Sequence, residues 1–169
     1  MRGRKPIGKA AGAKSQASAR SSIRIYLAGP FSKHGRWADW RDYVKHEAPH
    51  HAYFDPRFDS EQLASVTFTH DDLRKGAGAA DIVFGYNPRG NYLVDPFGLC
   101  IELGMAFGCR VPIVLCDEND WVFPMLPPLA RRLFTNLNLA TTYLKILHRH
   151  SNEFHVFYKA IAQSKTRRS

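Results

Sequence analysis

The stretch that decides the fold is residues 80–117, ADIVFGYNPRGNYLVDPFGLCIELGMAFGCRVPIVLCD. Its first part, ADIVFGYNP (80–88), is rich in β-branched and aromatic residues and predicts a core strand ended by Asn87-Pro88. The segment LCIELGMAFG then predicts a helix, with Gly108 as its C′ residue, and RVPIVLCDEND predicts another core strand. A strand, a helix and a strand in this order favour parallel pairing, because the chain must cross over before it returns to the sheet.

The same alternation extends toward both ends of the chain. IRIYLAGPFS (23–32) predicts a strand closed by a tight loop at Gly29-Pro30, and RWADWRDYVKHEA (36–48) predicts an amphipathic helix. A short strand in HAYFDPR, a helix beginning near Thr69 and a final amphipathic helix over 141–163 complete the pattern. The predicted fold class is α/β, a single doubly wound domain whose mostly parallel, flavodoxin- or Rossmann-like sheet is flanked by helices.

The basic excess of the protein lies in its tails. Six basic residues in 1–22, without an acid, and three in 165–169 account for the whole net charge of +9. We therefore expect a disordered basic tail over 1–22, a neutral α/β domain over 23–164 and a basic C-terminal tail over 165–169. Three interpretations of the N-terminal tail stay open: a solvated segment, a contact with nucleic acid or an anionic surface, and an organelle transit peptide such as a mitochondrial one.

Composition excludes several classes of protein. The 169 residues contain no apolar run approaching the roughly 18 that a membrane span needs, and no secretory apolar segment is recognised near the N-terminus. Cys100, Cys109 and Cys116 have spacings that match neither a zinc site nor a disulfide framework. They predict reduced, buried thiols in an intracellular, cytoplasmic protein.

Ligands of such sheets bind outside the carboxyl ends of the strands, which predicts one cleft formed by residues 29–36, residues 87–95 and the stretch leading to Glu102. We expect Asp81, Asp95 and Glu102 around it. A pair of carboxylates is what cleavage of a glycosidic bond requires. Each has an ordinary alternative: Glu102 as a surface-facing helix residue, Asp95 as a turn or helix cap, and Asp81 as an acceptor for a backbone amide.

Three motifs in order, IYLAGPF, ADIVFGY and DPFGLCIELGMAFGCRVPIV, resemble the nucleoside 2-deoxyribosyltransferase family, which includes deoxyribonucleoside 5′-monophosphate N-glycosidases. The resemblance covers roughly residues 23–116. It implies that Glu102 is the nucleophile, forming a covalent ester at C1′, and that Tyr26 holds this glutamate through its hydroxyl. It further implies that Asp81 contacts the base and assists proton transfer, and that Asp95 binds the sugar hydroxyls.

The loop GPFSKHGRW (29–37) bears on the substrate class, because backbone N–H groups after a glycine turn and nearby basic side chains suit a 5′-phosphate. A solvated basic loop is the alternative. The predicted substrate-binding residues, besides Asp95, are Gly29, Ser32, Lys33, His34, Arg36, Asn87 and Gly98. No metal or organic cofactor is expected. The resemblance implies a homo-oligomer, in which a partner chain donates polar groups from residues 117–138.

A second interpretation belongs to another class of protein. The domain would be a non-catalytic nucleotide-binding relative, or a subunit of a nucleic-acid-containing assembly tethered by its basic tails. The joint presence of Glu102, Asp81 and Tyr26 favours the enzyme. The sequence His70-Asp71-Asp72 predicts a helix start, and the resembling family often has an acidic residue there.

Overall fold

One parallel sheet organises the part of the chain that the structure, a computed structural model, describes: residues 22–30, 40–59, 72–89, 97–119 and 127–149. Its strands are β1 (Arg24–Ala28), β2 (Ala52–Phe54), β3 (Ile82–Asn87), β4 (Ile113–Asp117) and β5 (Arg132–Phe134). They lie in the order β2-β1-β3-β4-β5, and every neighbouring pair is parallel. This is the flavodoxin-like strand order, so the predicted doubly wound α/β fold is confirmed.

Helices cover both faces of the sheet, as the predicted alternation requires. They are α1 (Trp40–Glu47), α2 (Pro56–Asp59), a π-helix (Asp72–Ala77), α3 (Phe97–Gly108), a short 3-10 helix (Pro127–Leu129) and α4 (Leu137–Arg149). On one face α1 and α4 contribute buried side chains, namely Trp40, Val44, Ala140 and Leu144. On the other face α3 and the π-helix contribute Ala77, Leu99, Leu103 and Ala106. Because β3 is buried on both faces, its sequence is a nearly continuous apolar run.

Several boundaries differ from those expected from the sequence. Helix α4 begins at Leu137 rather than near 141, because the side chain of Asn136 caps it by accepting hydrogen bonds from the amides of Asn138 and Leu139 at 2.9 and 3.3 Å. Helix α2, of four residues, and strand β5, of three residues, were not predicted from the sequence. Residues 31–39, 60–71 and 150–169, which include parts of three predicted helices, lie outside the described residues.

The predicted C′ role of Gly108 is wrong. Helix α3 runs through Gly108, and the left-handed residue is Arg110, with φ 60°. The amide of Arg110 donates to the carbonyl of Phe107 at 3.0 Å, and the amide of Val111 donates to that of Ala106 at 2.8 Å. These two bonds form a Schellman motif. Val111 packs in the same apolar cluster as Ala106, which is the hydrophobic contact that commonly accompanies this motif. The motif therefore forms here without a glycine at its left-handed position.

The strand order places a topological switch point between β1 and β3. At the carboxyl end of β1, Gly29 has φ 149°, and an added Cβ would lie 2.7 Å from the carbonyl oxygen of Tyr86 at the end of β3. Glycine is required at this position both by its φ and by the close approach of the two strands. The two described borders of the predicted cleft, Gly29 and the end of β3, therefore do converge.

The thiols differ from the expectation in one case. Cys116 is buried in β4 and Cys100 is half-buried in α3, but Cys109 is exposed after the end of α3. Within the described ranges, no helix has the length and apolar character needed to cross a membrane. The basic tails lie outside the described residues, so their predicted disorder and partners stay predictions.

Candidate active site

A buried carboxylate lies at the centre of the candidate site. Glu102, in the middle of α3, is 4% exposed, and its Oε1 accepts a hydrogen bond from the hydroxyl of Tyr26 in β1. Burying a carboxylate is costly unless donors compensate it, and a hydroxyl donor to a charged oxygen is a strong one. Glu102 is therefore not the surface-facing residue of the alternative interpretation. The contact that the resemblance implied between these two residues is present.

Tyr26 is held in place by packing. Its ring is fully buried and lies 5.5 Å from the ring of Phe54, centroid to centroid, at 38°. The π-helix crosses beside it at Gly76, where an added Cβ would lie 2.5 Å from Cδ2 of Tyr26. Because glycine has no Cβ, the helix backbone approaches the ring closely and leaves the hydroxyl directed at Glu102.

A buried guanidinium lies at the carboxyl end of β1. Arg41, in α1, is 2% exposed and donates from Nη2 to the carbonyl of Gly29 at 2.7 Å and from Nη1 to that of Pro30 at 3.1 Å. Its Nε donates to the carbonyl of Leu27 at 3.4 Å, and its planar group lies over the ring of Trp40, 4.3 Å from the centroid. Arg41 therefore binds the end of β1 from the face of the sheet that α1 covers, opposite the face that α3 covers.

Asp55, directly after β2, links this guanidinium to further cations. Its carboxylate lies 3.7 Å from Nε of Arg41, 2.6 Å from Nζ of Lys45 and 2.7 Å from Nη2 of Arg57. Burial would raise the pKa of Asp55, but hydrogen bonds from Arg57 and Lys45 outweigh it, so the pKa is held below its usual range. This network joins the carboxyl ends of β1 and β2 to α1.

Polar side chains also meet at the carboxyl ends of β3 and β4. Asn87 donates from Nδ2 to Oδ1 of Asp117 at 3.1 Å, and Asn119 donates from Nδ2 to the carbonyl of Pro88 at 3.0 Å. All three side chains are buried. Asn87, a predicted substrate-binding residue, thus has a partner within the protein, and its binding role stays a prediction.

Asp81 lies at the amino edge of the sheet. Its Oδ2 accepts a hydrogen bond from the backbone amide of Arg24 at 2.8 Å and lies 3.7 Å from Nε of the same residue. Because Asp81 precedes β3 and Arg24 begins β1, this contact lies at the amino edge of the parallel sheet. The expectation that Asp81 lines the cleft is wrong, whereas its proton-transfer role stays a prediction.

The remaining predicted residues divide into two groups. Gly98 lies in the first turn of α3, half-buried, and Gly29 forms the turn described above. The others lie outside the described residues, namely Ser32, Lys33, His34, Arg36 and Asp95. Among the described side chains, no group of three or more histidines, cysteines or carboxylates is arranged to hold a metal ion.

Two features of the site were missed from the sequence. Arg41 lies in an amphipathic helix, where a basic residue normally indicates a solvated face, and Asp55 was interpreted only as the end of a strand. The sequence Asp55-Pro56 marks the end of β2, which is the edge where ligands bind. That position was the available signal for Asp55, whereas nothing local distinguishes Arg41 from its neighbours.

Comparison with known proteins agrees with this fold. No family model and no curated protein matches the sequence. The structure is similar to a solved 2-deoxyribosyltransferase from the psychrotolerant bacterium Bacillus psychrosaccharolyticus, with TM-score 0.53 and 26% identity, covering 70% of this chain and 90% of that enzyme. A conserved protein from Enterococcus faecalis V583 is similar with TM-score 0.43 and 22% identity, covering 75% of this chain and 87% of that one. The chain therefore has the α/β fold of a 2-deoxyribosyltransferase.

Proposed function

We propose that this protein is an enzyme that cleaves or transfers at the N-glycosidic bond of 2′-deoxyribonucleosides or their 5′-monophosphates. The observation that supports this most directly is the buried Glu102 carboxylate, held by the hydroxyl of Tyr26 from β1. Similarity to a 2-deoxyribosyltransferase supports the same class of reaction. A buried and positioned carboxylate is suited to nucleophilic attack on the anomeric carbon of a sugar.

The proposed reaction has two stages. The hydrogen bond from Tyr26 to Oε1 fixes the rotation of the carboxylate, and Oε2 of Glu102 attacks C1′. The new C1′–O bond forms as the C1′–N bond breaks, and the base leaves with the bonding electrons and takes up a proton. Water or a second base then attacks C1′ and releases Glu102. Two inversions give net retention at C1′.

The sequence resemblance implies Asp81 as the donor of the proton for the leaving base. Because Asp81 lies at the amino edge with Arg24, this proposal leaves the proton donor unassigned, and Asp81→Asn tests the predicted role.

The 5′-monophosphates are included because of the loop after Pro30. Lys33, His34 and Arg36 follow Gly29 in the sequence. Gly29 itself lies at the carboxyl end of β1, and ligands of this fold bind at that edge of the sheet. Basic side chains beside backbone N–H groups suit a phosphate. The acceptor is water in a hydrolase and a second base in a transferase. The following experiment distinguishes the two.

The test measures base release by chromatography from a panel of deoxynucleosides and deoxynucleoside 5′-monophosphates, with and without a second free base. Glu102→Gln removes the nucleophile but keeps an oxygen for the Tyr26 hydroxyl, so the folded protein should persist without turnover. Glu47→Gln is the matched control, because Glu47 is a partly exposed carboxylate paired with Lys145 on the surface. Release in water indicates a hydrolase, and exchange that requires an added base indicates a transferase. No product from any substrate, or full activity of Glu102→Gln, would refute the proposal.

A further inference from the structure

Arg41 is buried in a way that packing alone does not require. An apolar side chain of similar volume would fill such a place without the cost of desolvating a charge. Instead, the guanidinium donates to three backbone carbonyls at the end of β1, those of Leu27, Gly29 and Pro30. The fork geometry of arginine allows one side chain to satisfy several acceptors at once, which a lysine ammonium in the same place does less well.

These bonds act on the strand that holds the nucleophile. Leu27 follows Tyr26 directly, and successive side chains of a strand point to opposite faces. Arg41 therefore anchors the backbone of β1 from the α1 face, while the Tyr26 side chain reaches Glu102 on the α3 face. A shift of the end of β1 would move the hydroxyl of Tyr26 relative to the carboxylate.

Arg41 keeps its charge in this buried place. Burial lowers the pKa of Arg41 to about 10, and the negative charges of Asp55 and Glu102 oppose that effect. Arg41 is therefore protonated at neutral pH and keeps all of its N–H donors.

We propose that Arg41 is a positioning residue of this site: it anchors the end of β1, the strand that carries Tyr26, and so holds the Tyr26 hydroxyl against the Glu102 carboxylate. This inference rests on the proposed function. It assigns Arg41 an effect on kcat, through Tyr26 and Glu102, rather than a contact with the reacting atoms. The role is separate from the surface ion pairs of α1, because Arg41 donates to the carbonyls of Leu27 and Gly29, whereas the partly exposed Lys45 binds the Asp55 carboxylate.

The test compares Arg41→Met, Arg41→Lys and the control Lys45→Met in steady-state kinetics and thermal unfolding. Lys45 binds the same Asp55 carboxylate at 2.6 Å but is partly exposed, so its replacement perturbs the ion-pair network without touching β1. For Arg41→Met we expect kcat to fall at least about tenfold, with KM changed less than about threefold, because interactions of the nucleophile rather than of the bound substrate are lost. For Lys45→Met we expect kcat close to that of the unsubstituted protein.

Arg41→Lys separates the positive charge from the hydrogen-bonding geometry. It keeps the charge but lacks the fork of the guanidinium, so it should anchor the carbonyls less well and kcat should fall at least about threefold.

Four results would overturn the inference. One is a kcat of Arg41→Met equal to that of the unsubstituted protein; another is an equal loss of kcat in Lys45→Met. If Arg41→Met does not fold, an unchanged kcat of Arg41→Lys would overturn it. Absence of base release by the unsubstituted protein would refute the proposed function as well, which distinguishes that failure from the others.

Discussion

Replacing Gly76 by alanine is the perturbation whose size follows most directly from the structure. The new Cβ would lie 2.5 Å from Cδ2 of Tyr26 and 3.3 Å from Cε1 of Phe54, whereas ordinary contacts are 3.4–4 Å. Tyr26 is fully buried, so its ring can move only by displacing other core atoms. Either the ring or the helix must therefore shift by about 1 Å, and overpacking of this kind costs about 1–3 kcal/mol.

The shift also weakens the hydrogen bond from Tyr26 to Glu102. A hydrogen bond to a charged group contributes about 1.5–3 kcal/mol, so its loss corresponds to a fall in kcat of about 10- to 100-fold. We expect Gly76→Ala to lower the free energy of unfolding by about 2 kcal/mol, and the Tm by about 5 °C for a chain of this size. Thermal unfolding by circular dichroism and base-release kinetics measure the two effects.

Gly104→Ala is the matched control. Gly104 lies in α3 two residues after Glu102, and an added Cβ would meet nothing within 4 Å. Alanine favours helix over glycine by about 0.5–1 kcal/mol, so this variant should be at least as stable as the unsubstituted protein. A Gly76→Ala protein with unchanged Tm and kcat, or a Gly104→Ala protein that loses as much, would refute the reasoning.

Three further predictions follow from individual side chains. The depressed pKa of Asp55 contributes stability that is fully present above the usual carboxyl pKa and is lost as pH falls through the lower pKa of the folded state. Below about pH 4 the free energy of unfolding, measured in urea, should therefore fall more steeply for the unsubstituted protein than for Asp55→Asn; parallel pH curves would contradict this. Asp81→Asn should keep kcat within about threefold, because its carboxylate binds Arg24 at the amino edge, and a loss above about a hundredfold would restore its predicted proton-transfer role. Cys109 should react with a thiol reagent in the native protein, whereas Cys116, whose pKa burial raises, should react only after denaturation, as mass spectrometry would show.

The regular elements were predictable because their signals are local. The buried strand over 82–87 and the helix carrying Glu102 follow from apolar periodicity, and their order implied the parallel sheet. The end of α3 was not predictable in this way. Arg110 adopts the left-handed conformation that Gly108 was expected to adopt, because Val111 must join the cluster around Ala106. The end of the helix is thus set by the tertiary packing of Val111, not by a local glycine signal.

The sequence by itself determined that Glu102 lies on a helix between two core strands, and the resemblance paired it with Tyr26. The tertiary structure brought that pair together and placed Arg41 near it: Tyr26 and Glu102 are separated by 76 residues, and Arg41 binds the carbonyls at the end of the strand that carries Tyr26. It also decided that Asp81 lies at the amino edge, whereas Asp55 lies at the carboxyl edge with Arg41. Periodicity in the sequence predicts which side of its own helix or strand a residue occupies. Which residues from distant parts of the sequence become neighbours depends instead on the order of the strands in the sheet and on close backbone approaches at glycines, and neither shows a local pattern.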